Sequence, residues 1–365
     1  MADQRIKLAR RKAGLSLRNL ADKMEGLVSA QAIGKYERGE MAPSSEVLIA
    51  LSKALGVSIP YLLSPHGIEL GKCEFRTKAS TSAKDRARVE TEVLEWVERY
   101  SQIEEILDLQ SGSWACPSGM PRRIANFEEA EGLAEDLRTA WSLGTDPIPN
   151  MTELLEERGI KVLLARLPEK VSGLTCFVKR QNVGIETPVI VVNAGMTLER
   201  RRFTMAHELG HRVIDPPNEG DVEKLCHRFA GAFLMNREHF LKEIGQHRRA
   251  FGAREIVMLK RLYRISAASF LMRLEQTGVI DHSAIEYAFR TYASGWRSEE
   301  PEPLEVSTNR GKFEVPRRFE RLVYRAAAED MISLPKAVEL LRVPLAEVEK
   351  GLKGPLETHA DHRQR

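Results

Sequence analysis

The sequence predicts a multi-domain protein: an all-α unit of five helices, then a mixed α+β unit, then a small helical C-terminal region. Three observations predict it. The chain has 365 residues, enough for two or three domains at roughly 100–200 residues each. Its first 64 residues break into five short helical stretches punctuated by glycines. From residue 126 a helix, a second helix, short apolar strands and one long helix follow in that order, which is α+β rather than a βαβ alternation. The composition, 42% hydrophobic and 29% charged, is that of a globular chain and excludes a disordered or collagen-like one. The predicted divisions are 1–64, a helical linker over 65–125, 126–280, and 281–365.

In the first unit, Arg5–Arg11 reads as an amphipathic helix stopped at Gly14. Ser16 can cap a second carrying Leu17, Leu20, Ala21 and Met24 at helical spacing, broken at Gly26. Ser29 can cap a third with Ile33 and Tyr36 inward, ending at Gly39. Pro43-Ser44-Ser45 opens a fourth with Val47, Leu48, Leu51, Ala54 and Leu55 as its stripe, closed by Gly56. Ser58 starts the last, through Leu63. The second and third helices have the spacing of a helix-turn-helix, whose second helix enters the major groove of DNA. That helix would expose Ser29, Ala30, Gln31, Gly34 and Lys35. Gln31 can pair with adenine, and Lys35 can reach guanine or a phosphate. Arg10, Arg11, Lys12 and Arg18 are placed for the phosphate backbone. Ten Lys/Arg against six Asp/Glu give residues 1–64 a charge of +4, within a whole-chain +3.

The run Ser16–Ala21, then Ile33, Glu37, Gly39 and Pro43, then Leu51–Ser58, resembles the XRE/Cro-type helix-turn-helix family over nearly all of residues 3–63. Leu17 stands where that family usually has Gln, and Gly34 where it has Ser. The resemblance implies a double-stranded DNA operator as partner and two copies on a pseudo-palindrome, hence a homodimer.

In the linker, Glu90–Leu109 carries Val93, Leu94, Trp96, Val97, Tyr100, Ile103, Ile106 and Leu107 at helical spacing. It reads equally as a spacer or a dimerisation helix. Loop-forming Ser111-Gly112-Ser113 and Pro117-Ser118-Gly119 follow. Beyond it the spacing predicts helices over 127–141 and 150–158, strands over 160–164, 174–178 and 188–193, and a helix from about Thr197 to Ile214.

That last helix contains His207-Glu208-Leu209-Gly210-His211. Residues i and i+4 of an α-helix lie about 40° apart and about 6 Å along the axis, so both imidazoles can hold one Zn²⁺. Glu208, beside the first ligand, can act as general base on the metal's water. Phe203, Ala206 and Gly210 are buried-type neighbours, and a polar face in a core needs a metal or other partners. Candidates for a third ligand are Glu219, Asp221, Glu223 and His227. Asp221 reads better as the cap of the next helix, Val222 to about Met235, on which Glu223 and His227 share a face.

The stretch from Arg202 to His211, with Glu223–Met235 after it, resembles the ImmA/IrrE family of metallopeptidases over roughly residues 126–280. Cys226, His227 and Asn236 depart from its usual Ala, Asn and Pro. The resemblance implies a zincin-like, gluzincin-type fold with zinc held by His207, His211 and Glu223. It further implies proteolysis of a protein substrate such as a repressor. The expected function is a DNA-binding regulator whose endopeptidase domain cleaves a repressor, a toxin–antitoxin partner or itself. A non-enzymatic regulator or antitoxin with a structural or ligand-sensing zinc site is the alternative.

Further on, Ser266–Leu274 reads as a helix, 281–312 as a polar stretch with a linker at Glu299–Pro303, Phe319–Ala327 and Leu334–Leu341 as a helical pair, and 357–365 as a frayed tail. Four widely spaced cysteines, no basic-then-apolar leader and no long apolar run predict a cytoplasmic protein not engaged with membrane.

Overall fold

The computed structural model describes residues 2–57, 59–63, 68–70, 74–77, 83–109, 114, 116–168, 171–180, 186–215 and 222–353. The first unit is five helices, α1 (Ala2–Lys12), α2 (Leu17–Lys23), α3 (Ala30–Glu37), α4 (Ser45–Leu55) and α5 (Ile59–Leu63). The hydroxyls of Ser16, Ser29 and Ser44 accept the amides of Asn19, Ala32 and Val47, so each cap holds an otherwise orphaned donor. Gly14, Gly26, Gly39 and Gly56 take the left-handed backbone at the helix ends. Ile6, Leu20, Ile33, Leu51 and Leu62 are fully buried between the helices. The expected opener of α5, Ser58, lies outside the described residues.

Two strands the sequence reading did not anticipate follow, β1 (Ile68–Leu70) and β2 (Glu74–Thr77), then the long α6 (Ala83–Ile106). Next come β3 (Arg122–Arg123), α7 (Phe127–Ala140), α8 (Met151–Glu157), β4 (Lys161–Ala165), β5 (Val171–Arg180), β6 (Glu186–Asn193), α9 (Leu198–Val213), β7 (Ile214–Asp215) and α10 (Val222–Leu234). The chain continues with α11 (Arg237–Ile244), α12 (Ala253–Tyr263), α13 (Ala267–Gln276), α14 (His282–Arg290), α15 (Arg318–Ala328), α16 (Leu334–Leu341) and α17 (Leu345–Leu352). The expected tail at 357–365 lies outside the described residues.

In the main sheet β4 runs parallel to β6, and β5 antiparallel to β6. Both β1 and β2 pair antiparallel with the other edge of β5. Asn193, at the end of β6, ties the turns together. Its amide donates to the carbonyl of Val171 at 2.9 Å, and its oxygen accepts the amide of Gly195.

Each face of this sheet has its own core. One joins Val162, Ile190 and Val192 to α7–α10 and the helices through α14, with Trp141 edge-on to Phe233. The other joins Leu163, Leu174, Cys176, Val189 and Val191 to Val93, Val97, Tyr100 and Ile103 of α6 and to α15 and α16. The apolar stripe of the expected spacer or dimerisation helix is therefore covered within the chain. Its reason is legible in β6: Val189 to Val192 is a continuous apolar run, which marks a strand buried on both faces.

The expected polar stretch 281–312 also does other work. It contains α14, and carboxylates in it and just beyond it reach into the core. Glu305 accepts two hydrogen bonds from Arg201, at 2.8 and 2.9 Å, with both side chains buried. Glu314 pairs with Arg202, and Glu300 with Lys260 at 2.9 Å. Residues 300–314 thus strap the first turns of α9.

Candidate metal centre

Helix α9 starts at Thr197, whose hydroxyl accepts the amide of Arg200. Its next turns bury Glu199, Arg201 and Arg202, each with an ionic partner: Lys260, Glu305 and Glu314. One turn later the buried polar run continues with Thr204, His207 and Glu208.

His207 and His211 present their Nε2 atoms 3.2 Å apart. The carboxylate of Glu223, in the first turn of α10, lies 3.3 Å from each. One ligand atom from each of the three falls within 4.8 Å of the others. Close packing of α10 on α9 makes this convergence. A Cβ on Gly210 would stand 3.2 Å from Cys226 Sγ and Phe229 Cδ1, so only glycine lets the helices approach without displacing them. Exposure is graded. The His207 side chain is fully buried, His211 is 8% exposed and Glu223 54%, which leaves one side of the cluster open to solvent.

The electrostatics hold the cluster together. Hydrogen bonds from His207 and His211 keep the Glu223 carboxyl well below the usual carboxylate range. Burial works to lower His211, but hydrogen bonding to the Cys226 sulfur and to Glu223 outweighs it and lifts the imidazole to about 10. Burial raises the Cys226 thiol. A positive charge is therefore favoured at this point even without an ion. Two imidazole nitrogens and one carboxylate, with an open side, are a donor set that can hold a metal ion and leave a position free.

Glu208 is buried next to His207. Strand β5 passes directly over it. A Cβ on Gly173 would fall 2.6 Å from Thr204 Cγ2 and 3.8 Å from Glu208 Oε1. His227, the other candidate ligand, is not in the convergent group. Its Nδ1 donates to the Glu223 carbonyl oxygen at 2.6 Å, and its ring lies edge-on to His207 at 4.5 Å. It braces the backbone that carries Glu223. Glu219 and Asp221 lie outside the described residues. The sequence reading missed Cys226 beside His211, although its spacing of three from Glu223 places it on the same side of α10. Asn236, in place of proline, caps α11 by accepting the amides of Glu238 and His239.

In the first unit, Arg18, Ser29, Gln31 and Lys35 are exposed and Ala30 is half-buried. The expected exposure of Gly34 is corrected: it is buried where α3 meets α2, with Leu17 Cδ1 3.7 Å and Arg38 Nη1 3.2 Å from where its Cβ would be. The two departures from the usual pattern thus compensate, a larger residue at 17 facing a smaller one at 34. Arg10 and Lys12 are engaged by partners within the chain. Arg10 donates to both Glu37 oxygens, at 2.5 and 2.8 Å, and to the Leu15 carbonyl. Lys12 pairs with Glu95 of α6.

Residues 6–62 match the family model described as helix-turn-helix, and residues 155–275 match that of the IrrE N-terminal-like domain, a peptidase family. No curated protein and no solved structure matches the chain. No helix among the described residues is long and apolar enough to cross a membrane. The chain joins, in this order, a helix-turn-helix domain of the XRE type to a domain of the IrrE peptidase type.

Proposed function

We propose that this chain is an operator-binding transcriptional regulator whose second domain is a zinc-dependent endopeptidase. In this reading it works in the cytoplasm as a homodimer on DNA, and cleaves a repressor, a toxin–antitoxin partner or itself. The observation that carries the reading is the convergence of His207, His211 and Glu223, with Glu208 one residue from the first histidine.

His207, His211 and Glu223 would hold the zinc. When bound, it lowers the pKa of a coordinated water toward about 7 and polarises a carbonyl. The chain's own residues supply the rest. Glu208, buried and lying under β5, takes the proton of the attacking water and returns it to the leaving amide nitrogen. The exposed side at Glu223 admits the substrate. His227 braces the backbone that carries Glu223, and Cys226 hydrogen-bonds His211.

Metal content and cleavage test this together. The purified chain is expected to hold about one zinc, and the double variant His207→Ala/His211→Ala none. Glu208→Gln should keep zinc and fold yet lose cleavage of candidate repressors by about 10²–10⁴-fold. Zinc retained in the double histidine variant would move the site elsewhere. Zinc bound without cleavage by the wild type would favour a structural or ligand-sensing centre.

A further inference from the structure

Strand β5 runs along α9 beside the whole His-Glu stretch. Gly173 rests on Thr204, next to Glu208, and the ring of Phe177 lies 4.5 Å from the Arg212 guanidinium, one residue past His211. One edge of β5 is paired with β6 through seven residues. The opposite edge is where an extended peptide would lie beside Glu208, because the β5 backbone there offers the amides and carbonyls that such a strand needs. That edge is already taken by the chain itself. Leu70 stands opposite Val178, Glu74 opposite Thr175, and Arg76 opposite Gly173, all antiparallel. Residues 68–77 come from the segment that joins the helix-turn-helix unit to α6.

This internal pairing spans seven residues in all, as that of β6 does, but it is less continuous. It consists of two short pieces of three and four residues, and its register shifts between Arg76 and Thr77. Edge pairing of this kind is open to exchange with another strand of the same direction.

We propose that residues 68–70 and 74–77 occupy the peptide-binding edge of the peptidase, and that a protein substrate enters as an extended segment by displacing them. The inference rests on the peptidase reading for its consequence: the site is closed to substrates while its own strand is in place. The competition for the β5 edge can be measured without turnover.

The probe is a fluorescent synthetic peptide with the sequence of residues 68–77, added to the full chain carrying Glu208→Gln. In the same background, Phe75→Pro/Arg76→Pro must remove one ladder hydrogen bond, since adjacent strand residues alternate in facing β5. The double-proline chain is expected to bind the peptide at least about tenfold tighter than its parent. Backbone amides of 171–179 should exchange faster in that variant and regain protection when peptide is added. Unchanged protection of α9 amides shows that the variant folds; should it not, Phe75→Gly/Arg76→Gly takes its place. Equal affinity in both chains, binding to neither, or binding that leaves the β5 amides unprotected would overturn the proposal. Failure of the peptidase reading shows separately, as absence of cleavage by the zinc-loaded wild type.

Discussion

Helices α3 and α9 are both rich in polar side chains, and they hold them in opposite places. Helix α9 buries Glu199, Arg201, Arg202, Thr204, His207 and Glu208. Helix α3 buries only Ile33, Gly34 and Tyr36, and turns Gln31 and Lys35 to solvent. A buried charge must find its partner inside the protein, because water is not there to solvate it. An exposed one is satisfied by water until something displaces it. The charged side chains at the start of α9 are therefore paired within the chain, while Gln31 and Lys35 of α3 face solvent.

The sharpest way to break this contrast is to remove one inner partner. Arg201→Met leaves the Glu305 carboxylate buried without its guanidinium. It is expected to cost roughly 3–5 kcal/mol of stability, read as a fall in the denaturant midpoint. Gln31→Ala, on α3, should stay within about 0.5 kcal/mol of wild type in the same titration. A loss under about 1 kcal/mol for Arg201→Met would mean that the strap at 300–314 does not hold α9 as described.

The same contrast explains what could be read from the sequence. The five helices of the first unit were legible because serine caps and left-handed glycines mark their ends locally, as Ser29 and Gly39 do for α3. The convergence of His207 and His211 was legible because they are one turn apart on a single element. What escaped is what long-range partners decide. Nothing local in Glu305 says that it will bury against Arg201, more than a hundred residues earlier in the chain. Gly34 looked like an exposed position until Leu17 covered it. Strands β1 and β2 exist only because β5 offers them an edge. Glu223 stood among several acidic and histidine candidates, and only the packing of α10 at Gly210 brings its carboxylate to both imidazoles.

On the outward helix the expected effects are smaller and fall on DNA binding rather than stability. Gln31→Ala should cost about 1–3 kcal/mol on the preferred operator and relax choice at one base position. Arg18→Ala should weaken binding to all sequences alike and reduce the salt slope by about one. Titrations of genomic fragments at two salt concentrations read both. If all fragments bind equally, with or without Gln31, α3 does not select sequence, and its exposed face serves another kind of contact.

The smallest effect concerns two lysines that look alike in the sequence. Lys35 points outward from α3, whereas Lys12 closes on Glu95, which also accepts from Arg342 at 2.7 Å. Burial works to raise the Glu95 carboxyl, but the hydrogen bonds from Lys12 and Arg342 overcome it and leave it below its ordinary value. The native carboxyl therefore binds its proton less readily than the unfolded one. The stability it contributes is fully present above the usual carboxylate range and is lost as pH falls through the depressed native value. Because Glu95 sits on α6, between α1 and the C-terminal helices, acid should loosen the seat of the helix-turn-helix unit. Wild type is expected to lose stability more steeply below about pH 5 than Glu95→Gln, which has no carboxyl to protonate. Lys35→Ala should leave the wild-type slope unchanged, since no acidic partner of Lys35 is involved in seating the unit. Parallel slopes for wild type and Glu95→Gln would show that Lys12 is not held by this carboxylate, and would return it to the set of basic side chains available to DNA.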